Sequence, residues 1–240
     1  MLLYETPLKL ELLGTKLYKN GEELPFSTRR VADLEPVLKD PAKIGPDGDA
    51  YYMFRDVYKH ETLRFDVTVL LPRMYGDEFN KTFGHGHPKS PSGVEYPEIY
   101  QILKGEAFFV LQKKNPADDT YSCLLVKANE GDTLLIPPGY GHVSVNRGNS
   151  NLVLSNIVSS SFESEYGEFR ENQGAAFYYT KFGPEQNMNC MVKGFREVGP
   201  QEIMKEYHVS IGDLLRTMHE SPEKLEFLER PEKLGEVKLS

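Results

Sequence analysis

The sequence predicts a mainly β protein, built as an antiparallel sandwich or small barrel with additions at both ends. From about residue 51 the period of the chain is two: over residues 63–69 apolar and polar residues alternate, so that Arg64, Asp66 and Thr68 share one face. Short strand-like runs then follow one another, separated by Gly, Pro, Asn and Asp, a spacing typical of antiparallel sandwiches and barrels. After about residue 200 the pattern becomes helical.

These changes of pattern divide the 240 residues into three predicted parts. An N-terminal arm of strand and helix covers 1–50, the barrel covers 51–175, and a partly helical C-terminal extension covers 176–240. In the arm, residues 8–13 form a candidate strand. Thr28 is a favourable N-cap before apolar residues at helical spacing, which predicts a short helix over 28–38, although Pro36 disfavours its last turn.

The barrel strands are predicted from runs of apolar and β-branched residues between turn signals. After the strand at 63–69 they cover 99–103, 107–112, 121–127, 133–136, 142–146 and 152–158. Turn residues such as Asn129-Glu-Gly131 and Pro137-Pro-Gly139 lie between them. The result is a set of short strands that an antiparallel fold can connect.

The C-terminal extension carries helix signals. Residues 201–207 have a helical pattern, and Ser210-Ile-Gly-Asp213 resembles a capping box ahead of an apolar run that begins at Leu214. Ser221-Pro222 forms a favourable N-cap and first-turn pair. We expect these helices to cover the barrel or a subunit partner and to carry no chemistry.

Composition narrows the class of function. The net charge of −8 and the pI of about 5.4 argue against nucleic acid as the main partner, and no dense basic patch offsets them. No segment approaches the about 20 apolar residues of a membrane span, and the N-terminus shows no signal-peptide pattern. Cys123 and Cys190 have no close cysteine or histidine partner, which predicts two buried free thiols in a reducing compartment. We therefore expect a cytoplasmic protein without membrane or nucleic-acid partners.

Three histidines and one carboxylate predict a metal site. His85 and His87 are two residues apart, so on a strand both imidazoles point to one face. Glu98 begins the next strand-like run, and His142 opens a later one after a Pro-Gly turn. Imidazole nitrogens with one carboxylate suit one divalent transition metal per subunit, Fe(II) or Mn(II) ahead of Ni, Zn or Co, with Fe(II) preferred. Such a set leaves coordination positions open for a substrate.

Nearby acidic and histidine residues leave alternatives open. Glu95 also follows His87 closely, but Pro97 marks the entry of a strand whose first residue is Glu98, so Glu98 is assigned as the ligand. Glu95 stays a candidate base near the metal. The other histidines are expected to be surface or packing residues; they are His60, His208 and His219.

The two motifs resemble those of the cupin superfamily, whose fold is a double-stranded β-helix or jelly-roll-like barrel. The first motif is matched by His85, His87, Glu98 and Gly105. Its leading glycine is replaced by Phe79, and the spacing before Glu98 is longer than usual. The second motif is matched at every position, by Gly131, Pro137, Gly139, His142 and Asn146.

Within the cupins, residues 82–87 and 96–105 look like the cupin-type glucose-6-phosphate isomerases of archaea and some bacteria, and residues 65–70 also fit. The resemblance covers roughly residues 50–170. It implies an enzyme of glycolysis and gluconeogenesis that interconverts two sugar phosphates, and it implies that this enzyme is a homodimer. It assigns the metal to the positions His85, His87, Glu98 and His142. It also implies that Thr68, Thr82 and Gly84 hold the sugar phosphate and that Tyr100 lies in the pocket, and we add Tyr166 as a candidate substrate contact.

The resemblance has one further departure, and it leaves the chemistry open. Some relatives carry a catalytic histidine near 162–166, where this chain has Ser164 and Glu165. Glu98 and Tyr100 are the predicted catalytic residues, acting through a cis-enediol(ate), with Glu95 or a metal-bound hydroxide as the alternative base and a direct hydride shift as the alternative route. Two rival functions use the same fold: an iron or manganese oxygenase or oxidase, and a non-catalytic sugar-binding cupin.

Overall fold

The structure is a computed structural model that describes residues 1–234; the last six positions of the predicted extension, 235–240, lie outside the described residues. The N-terminal arm contains five strands, β1 (Leu2–Tyr4), β2 (Leu10–Leu13), β3 (Lys16–Lys19), β4 (Glu22–Glu23) and β5 (Ser27–Arg30). Strands β1 to β4 form an antiparallel sheet in that order. The predicted strand at 8–13 is β2.

The central part of the chain is made of ten strands. They are β6 (Asp49–His60), β7 (Leu63–Leu70), β8 (Met74–Tyr75), β9 (Glu78–Phe79), β10 (Glu98–Lys104), β11 (Glu106–Asn115), β12 (Thr120–Asn129), β13 (Thr133–Ile136), β14 (Gly141–Asn146) and β15 (Leu152–Ser159). One antiparallel sheet has the order β13-β10-β15-β7-β6-β5, and a second contains β14-β11-β12. The mainly β fold is confirmed, and every strand predicted for the barrel is present.

Helices and three further strands complete the chain. They are α1 (Gly167–Glu171), β16 (Phe177–Thr180), β17 (Gly183–Gln186), β18 (Val192–Val198), α2 (Pro200–Glu206) and α3 (Leu214–Glu220). Two 3₁₀ helices, Pro222–Leu228 and Pro231–Leu234, follow. Helix α2 confirms the helix predicted at 201–207. Strand β18 extends the second sheet by pairing parallel to β12, a pairing that the antiparallel prediction missed.

Two local predictions are wrong. Residues 28–38 do not form one helix: Thr28 pairs with Tyr52 in the sheet, and only Ala32–Val37 form a 3₁₀ helix, without a side-chain cap. The sheet edge supplies hydrogen bonds that the local helix signal could not anticipate. In the second case Asp213, rather than Ser210, caps α3, because its side chain accepts from the N–H of Arg216 at 2.8 Å.

The C-terminal helices pack on the barrel as expected. A single cluster of buried apolar residues runs from Leu10 in the arm through the barrel strands to Leu215 and Leu225 in the extension. Ser221-Pro222 does start a helical segment, although the Ser221 side chain makes no capping hydrogen bond. Both cysteines are buried and free, as predicted. Among residues 1–234, none of the helices has the length and apolar character needed to cross a bilayer.

The strand register brings polar residues into one row. Tyr100 on β10 is opposite Asn156 on β15, and Asn156 is opposite Asp66 on β7. Because side chains two residues apart share a face, Glu98 and Tyr100 lie on the same side of β10. This face of the six-stranded sheet carries the candidate site.

Candidate metal centre

The histidine pair is held against β14 by backbone hydrogen bonds. His85 and His142 exchange two of them, at 3.2 and 2.9 Å, and the N–H of Thr82 donates to the carbonyl of Ser144. His85 therefore lies on an isolated bridge, whereas we had expected the pair on a regular strand. The bridge nevertheless brings the two motifs into contact.

The three predicted histidine ligands converge on one carboxylate oxygen of the fourth ligand, Glu98. The Nε2 atoms of His85, His87 and His142 lie 3.7, 3.4 and 3.3 Å from Oε2 of Glu98. Suitable donor atoms of His85, Glu98 and His142 all lie within 4.8 Å of one another. Three donors at such separations can surround one ion; His87 is not part of this group, although its Nε2 contacts Glu98.

The hydrogen bonds show that this cluster fits a cation. The His87 ring contacts the carbonyl of Tyr96 through Nδ1 at 2.9 Å; since a carbonyl only accepts, Nδ1 carries the proton and Nε2 presents a lone pair. That lone pair and Glu98 Oε2 are both buried and have no hydrogen-bond partner among the described residues. Two buried acceptors that face each other need a cation between them. A divalent metal meets this requirement.

Burial also sets the protonation of the ligands. It lowers the pKa of His85, and it lowers the pKa of His142 well below its ordinary value. Burial by itself would raise the pKa of Glu98, but the contact with His85 is the largest of the effects that hold that pKa well below its usual range. At neutral pH His85 and His142 are therefore neutral imidazoles and Glu98 is an ionised carboxylate, the forms that bind metal without competition from protons.

Asn156 orients the carboxylate, because its amide donates to Glu98 Oε1 at 2.6 Å and leaves Oε2 for the histidine side. Partners of this kind typically contribute 10- to 100-fold, roughly, to metal affinity. We expect Asn156→Ala to weaken metal binding by about that factor while the fold is retained. Titration of the apoprotein with Fe(II) or Mn(II) would measure it, with exposed Asn149→Ala as the control. Equal affinities in the two variants would contradict this role.

The residues that were predicted to face a substrate line one cavity with His85, His87 and Glu98; they are Thr68, Thr82, Gly84, Tyr100 and Tyr166. The cavity has about 560 Å³ of empty space, counting the part that opens to solvent. His142 is behind this lining, in contact with Glu98 and Tyr100. A ligand in the cavity would therefore meet both the metal cluster and the hydroxyl groups.

Local geometry explains two of these residues. Thr82 Oγ1 accepts from the N–H of Ser144 at 3.0 Å, so its hydroxyl proton is left for another acceptor. Gly84 has a φ of +88°, and a Cβ there would lie 2.4 Å from the ring of Phe169 and 2.6 Å from Val143. The backbone can pass between β14 and α1 only because residue 84 is glycine.

Glu95 is placed elsewhere. It lines a neighbouring cavity with Gln112, Lys114 and Glu168, and Lys89 lies 3.9 Å from its carboxylate. It does not contribute to the lining that contains Thr68 and Tyr100. His87 and Tyr166 line both cavities, so Glu95 stays an alternative base although it does not face Thr68 and Tyr100. Ser164, at the place where some relatives carry a histidine, does line the substrate-facing cavity.

Three arginines of the site were not among the residues predicted from the sequence. Arg29, Arg55 and Arg64 all line the cavity. Of the three, only Arg64 could have been found from the sequence, because the alternating pattern places it on the same strand face as Thr68. Arg29 and Arg55 come from neighbouring strands, so that their convergence depends on the sheet order.

Comparison with known proteins decides the family. The family described as Glucose-6-phosphate isomerase (GPI) matches residues 28–193, well over half of the chain. The chain belongs to this family. The prediction of an isomerase-family enzyme is thereby confirmed, and the match includes both motifs and Arg29.

Individual relatives carry the same name. The glucose-6-phosphate isomerase of Thermococcus litoralis is 27% identical in an alignment of 193 positions that covers 76% of this chain and 94% of that protein. That of Pyrococcus furiosus is 29% identical over 60% of this chain and 76% of its own length. The Sinorhizobium medicae protein of that name is 33% identical over 42% of this chain and 43% of its own. The similarity thus extends beyond the two motifs.

Solved structures resemble the chain over less than half of its length. A Lactobacillus farciminis oxalate decarboxylase formate complex has a TM-score of 0.35 at 20% identity, covering 48% of this chain and 30% of that one. A cupin-2 domain containing protein from Shewanella frigidimarina has a TM-score of 0.30 at 12% identity, covering 44% and 78%. The family assignment depends on the sequence match.

Proposed function

We propose that the protein is a metal-dependent aldose–ketose isomerase that interconverts glucose 6-phosphate and fructose 6-phosphate. The observation that carries this proposal is one cavity in which a buried His–Glu cluster lies beside hydroxyl groups and arginines. The cluster suits a metal, and the hydroxyls and cations suit a phosphate. Family membership supports the same reaction.

His85, His87, Glu98 and His142 would hold one divalent metal per subunit, for which the donor set favours Fe(II). When bound, such an ion supplies Lewis acidity to the oxygens at the reacting end of the sugar. The two lone pairs left without partners, on His87 and Glu98, are the atoms of this chain that best fit the ion.

Tyr100 and Glu98 would handle the proton. Burial and, after it, the negative charge of Glu98 raise the pKa of Tyr100 well above its ordinary value, so that its hydroxyl stays protonated and can donate to a sugar oxygen. At present this hydroxyl lies 3.0 Å from His142 Nε2. Because Nε2 has a single lone pair, it could not accept from Tyr100 and bind a metal at the same time. Metal binding at Nε2 would therefore free the Tyr100 hydroxyl to donate to the substrate.

Glu98 is the proposed base for transfer between C1 and C2 through a cis-enediol(ate). Because its pKa is depressed, it is a weak base, and transfer depends on close placement more than on basicity. Incorporation of solvent tritium at C2 would support the enediol route, and complete absence of exchange would favour a hydride shift.

Chelation tests metal dependence directly. We expect fructose 6-phosphate to be converted to glucose 6-phosphate by the purified protein, and chelator to reduce turnover by about 10³-fold or more, because a Lewis acid contributes several kcal/mol to such a reaction. A dehydrogenase-coupled assay measures it, and readdition of Fe(II), Mn(II), Ni(II), Zn(II) or Co(II) identifies the effective ion. Undiminished turnover in metal-free protein would refute the metal-centred mechanism.

The setting of the enzyme follows from the proposed reaction. Its two sugar phosphates are successive intermediates of glycolysis and gluconeogenesis, and we therefore propose a cytoplasmic enzyme of these pathways. The resemblance to the cupin-type isomerases supports a homodimer, which sedimentation of the purified protein would measure.

A further inference from the structure

The three cavity arginines differ in their counter-ions. Arg55 Nη1 and Arg64 Nε lie 2.8 and 3.1 Å from the same oxygen of Asp66, whose side chain is only 1% exposed. Their two positive charges are thus partly offset by one fixed carboxylate. Arg29 has no carboxylate within 4.0 Å in residues 1–234; its Nε donates to the hydroxyl of Tyr51 at 3.3 Å. Arg29 is therefore the cavity cation whose charge is least compensated.

The strand register places Arg29 at one end of the cavity. Arg29 on β5 is opposite Tyr51 on β6, and two residues further along β6 Met53 is opposite Thr68 on β7. Residues two apart on a strand share a face, so Tyr51 and Met53 point to the side that Arg29 and Thr68 occupy. All four residues line the cavity. Arg29 and Thr68 thus lie on one sheet face, separated by a single strand.

A second connection ties Arg29 to the loop between the strands. The Tyr51 hydroxyl that accepts from Arg29 also accepts from the N–H of Phe83 at 3.3 Å. The guanidinium carbon lies 5.5 Å from the centre of the Phe83 ring. Phe83 stands between Thr82 and Gly84, two of the residues that the resemblance assigns to the phosphate. Arg29 is therefore held beside this segment by both a hydrogen bond and a ring contact.

We infer that Arg29 binds the phosphate group of the substrate and makes the site selective for phosphorylated sugars. The inference rests on the proposed function. Hydroxyl and N–H donors such as Thr82 and Gly84 leave the two negative charges of a phosphate uncompensated, whereas a half-buried guanidinium supplies both charge and paired N–H donors. The ring of Phe83 and the hydroxyl of Tyr51 restrict the side chain, so little freedom is lost on binding.

Substitution of Arg29 separates its charge from its packing. Arg29→Met removes the charge, and Arg29→Gln removes it but keeps an amide that can donate to Tyr51. We expect both variants to lower kcat/KM for fructose 6-phosphate by about 10- to 100-fold. The loss should appear mainly as a higher KM, because the charged interaction is made equally with the bound substrate and with the transition state. Arg29→Lys should recover part of the loss, since it restores charge without the planar fork.

The neighbouring Arg30 is a matched control. It pairs with Asp47 and Asp49 at 2.8 and 2.7 Å, is exposed, and does not line the cavity. Arg30→Met should leave KM unchanged. The inference is overturned if Arg29→Gln, folded as judged by circular dichroism, keeps the wild-type KM for fructose 6-phosphate.

Phosphate binding can be followed without turnover. Calorimetric titration of the metal-loaded protein with inorganic phosphate should show an affinity that falls in Arg29→Met and Arg29→Gln by the same factor as kcat/KM, and that Arg30→Met retains. If wild-type protein fails to isomerise fructose 6-phosphate, the proposed function fails, yet the titration still decides whether Arg29 binds the anion. Equal phosphate affinity in wild type and both Arg29 variants would reject the inference on its own.

Discussion

Replacing His142 by alanine is expected to abolish both metal retention and turnover. His142 is buried, its Nε2 lies 3.3 Å from Glu98 Oε2, and it is the one predicted ligand that comes from the second motif. Without His142, the unpaired contact between His87 and Glu98 remains, but one fewer metal ligand is present to hold the ion. We expect turnover to fall by about 10³-fold or more. Metal content by elemental analysis and the coupled assay measure the two effects together.

The control for this substitution is His219→Ala. His219 is exposed on α3, and its ring contacts only the hydroxyl of Tyr58 among the hydrogen bonds of the described residues. Its loss should change neither metal content nor turnover. Stoichiometric metal and wild-type turnover in His142→Ala would reject the metal-centred site, whereas loss of folding, followed by circular dichroism, would require the comparison to be repeated with His142→Gln.

The part of the candidate site that belongs to short local motifs could be predicted from the sequence. His85, His87 and Glu98 follow one another within one motif, and His142 follows a Pro-Gly turn in the other. Both motifs are short and carry residues with few alternative uses. Spacing alone could therefore identify the set that the structure brings within 3.7 Å of one oxygen.

What could not be predicted depends on which strands become neighbours. Arg29 lies in a segment whose apolar spacing is helical, and it faces the cavity only because β5 joins the edge of the six-stranded sheet. The parallel pairing of β18 with β12 is likewise a property of the whole sheet. In the segment of Arg29, hydrogen bonds of the sheet overrode the local helix propensity. Sequence patterns identified the His–Glu cluster, and strand order was needed to find the cations beside it.

A buried ion pair explains how the N-terminal arm is joined to the barrel. Lys81 and Glu78 are 3% and 1% exposed, and their charged atoms lie 2.6 Å apart. The Lys81 ammonium also donates to the carbonyl of Val37, and Glu78 accepts from the N–H of Lys39 at 2.8 Å. Because Lys81 immediately precedes Thr82, the pair also fixes the start of the segment that carries the cavity residues.

Replacing Lys81 by methionine is expected to destabilise the protein by about 3–5 kcal/mol, because it leaves the Glu78 carboxylate buried without a counter-ion. In a chain of this size that corresponds to a fall in Tm on the order of 10 °C. Thermal and urea unfolding of the metal-free protein would measure the change without a contribution from metal binding. Lys16→Met is the matched control: its ion pair with Glu23 is exposed to water on both sides, so the loss should leave Tm unchanged.

The double variant Glu78→Gln with Lys81→Met tests the cause of the destabilisation. If the unpaired charge is responsible, removing it should restore much of the stability, because a neutral amide is far less costly to bury than a carboxylate. The amide can still accept from the N–H of Lys39, so the contact with the arm is kept. A double variant as unstable as Lys81→Met would instead attribute the effect to the lost bond with Val37 and to the 4.8 Å contact between the ammonium and the Tyr178 ring.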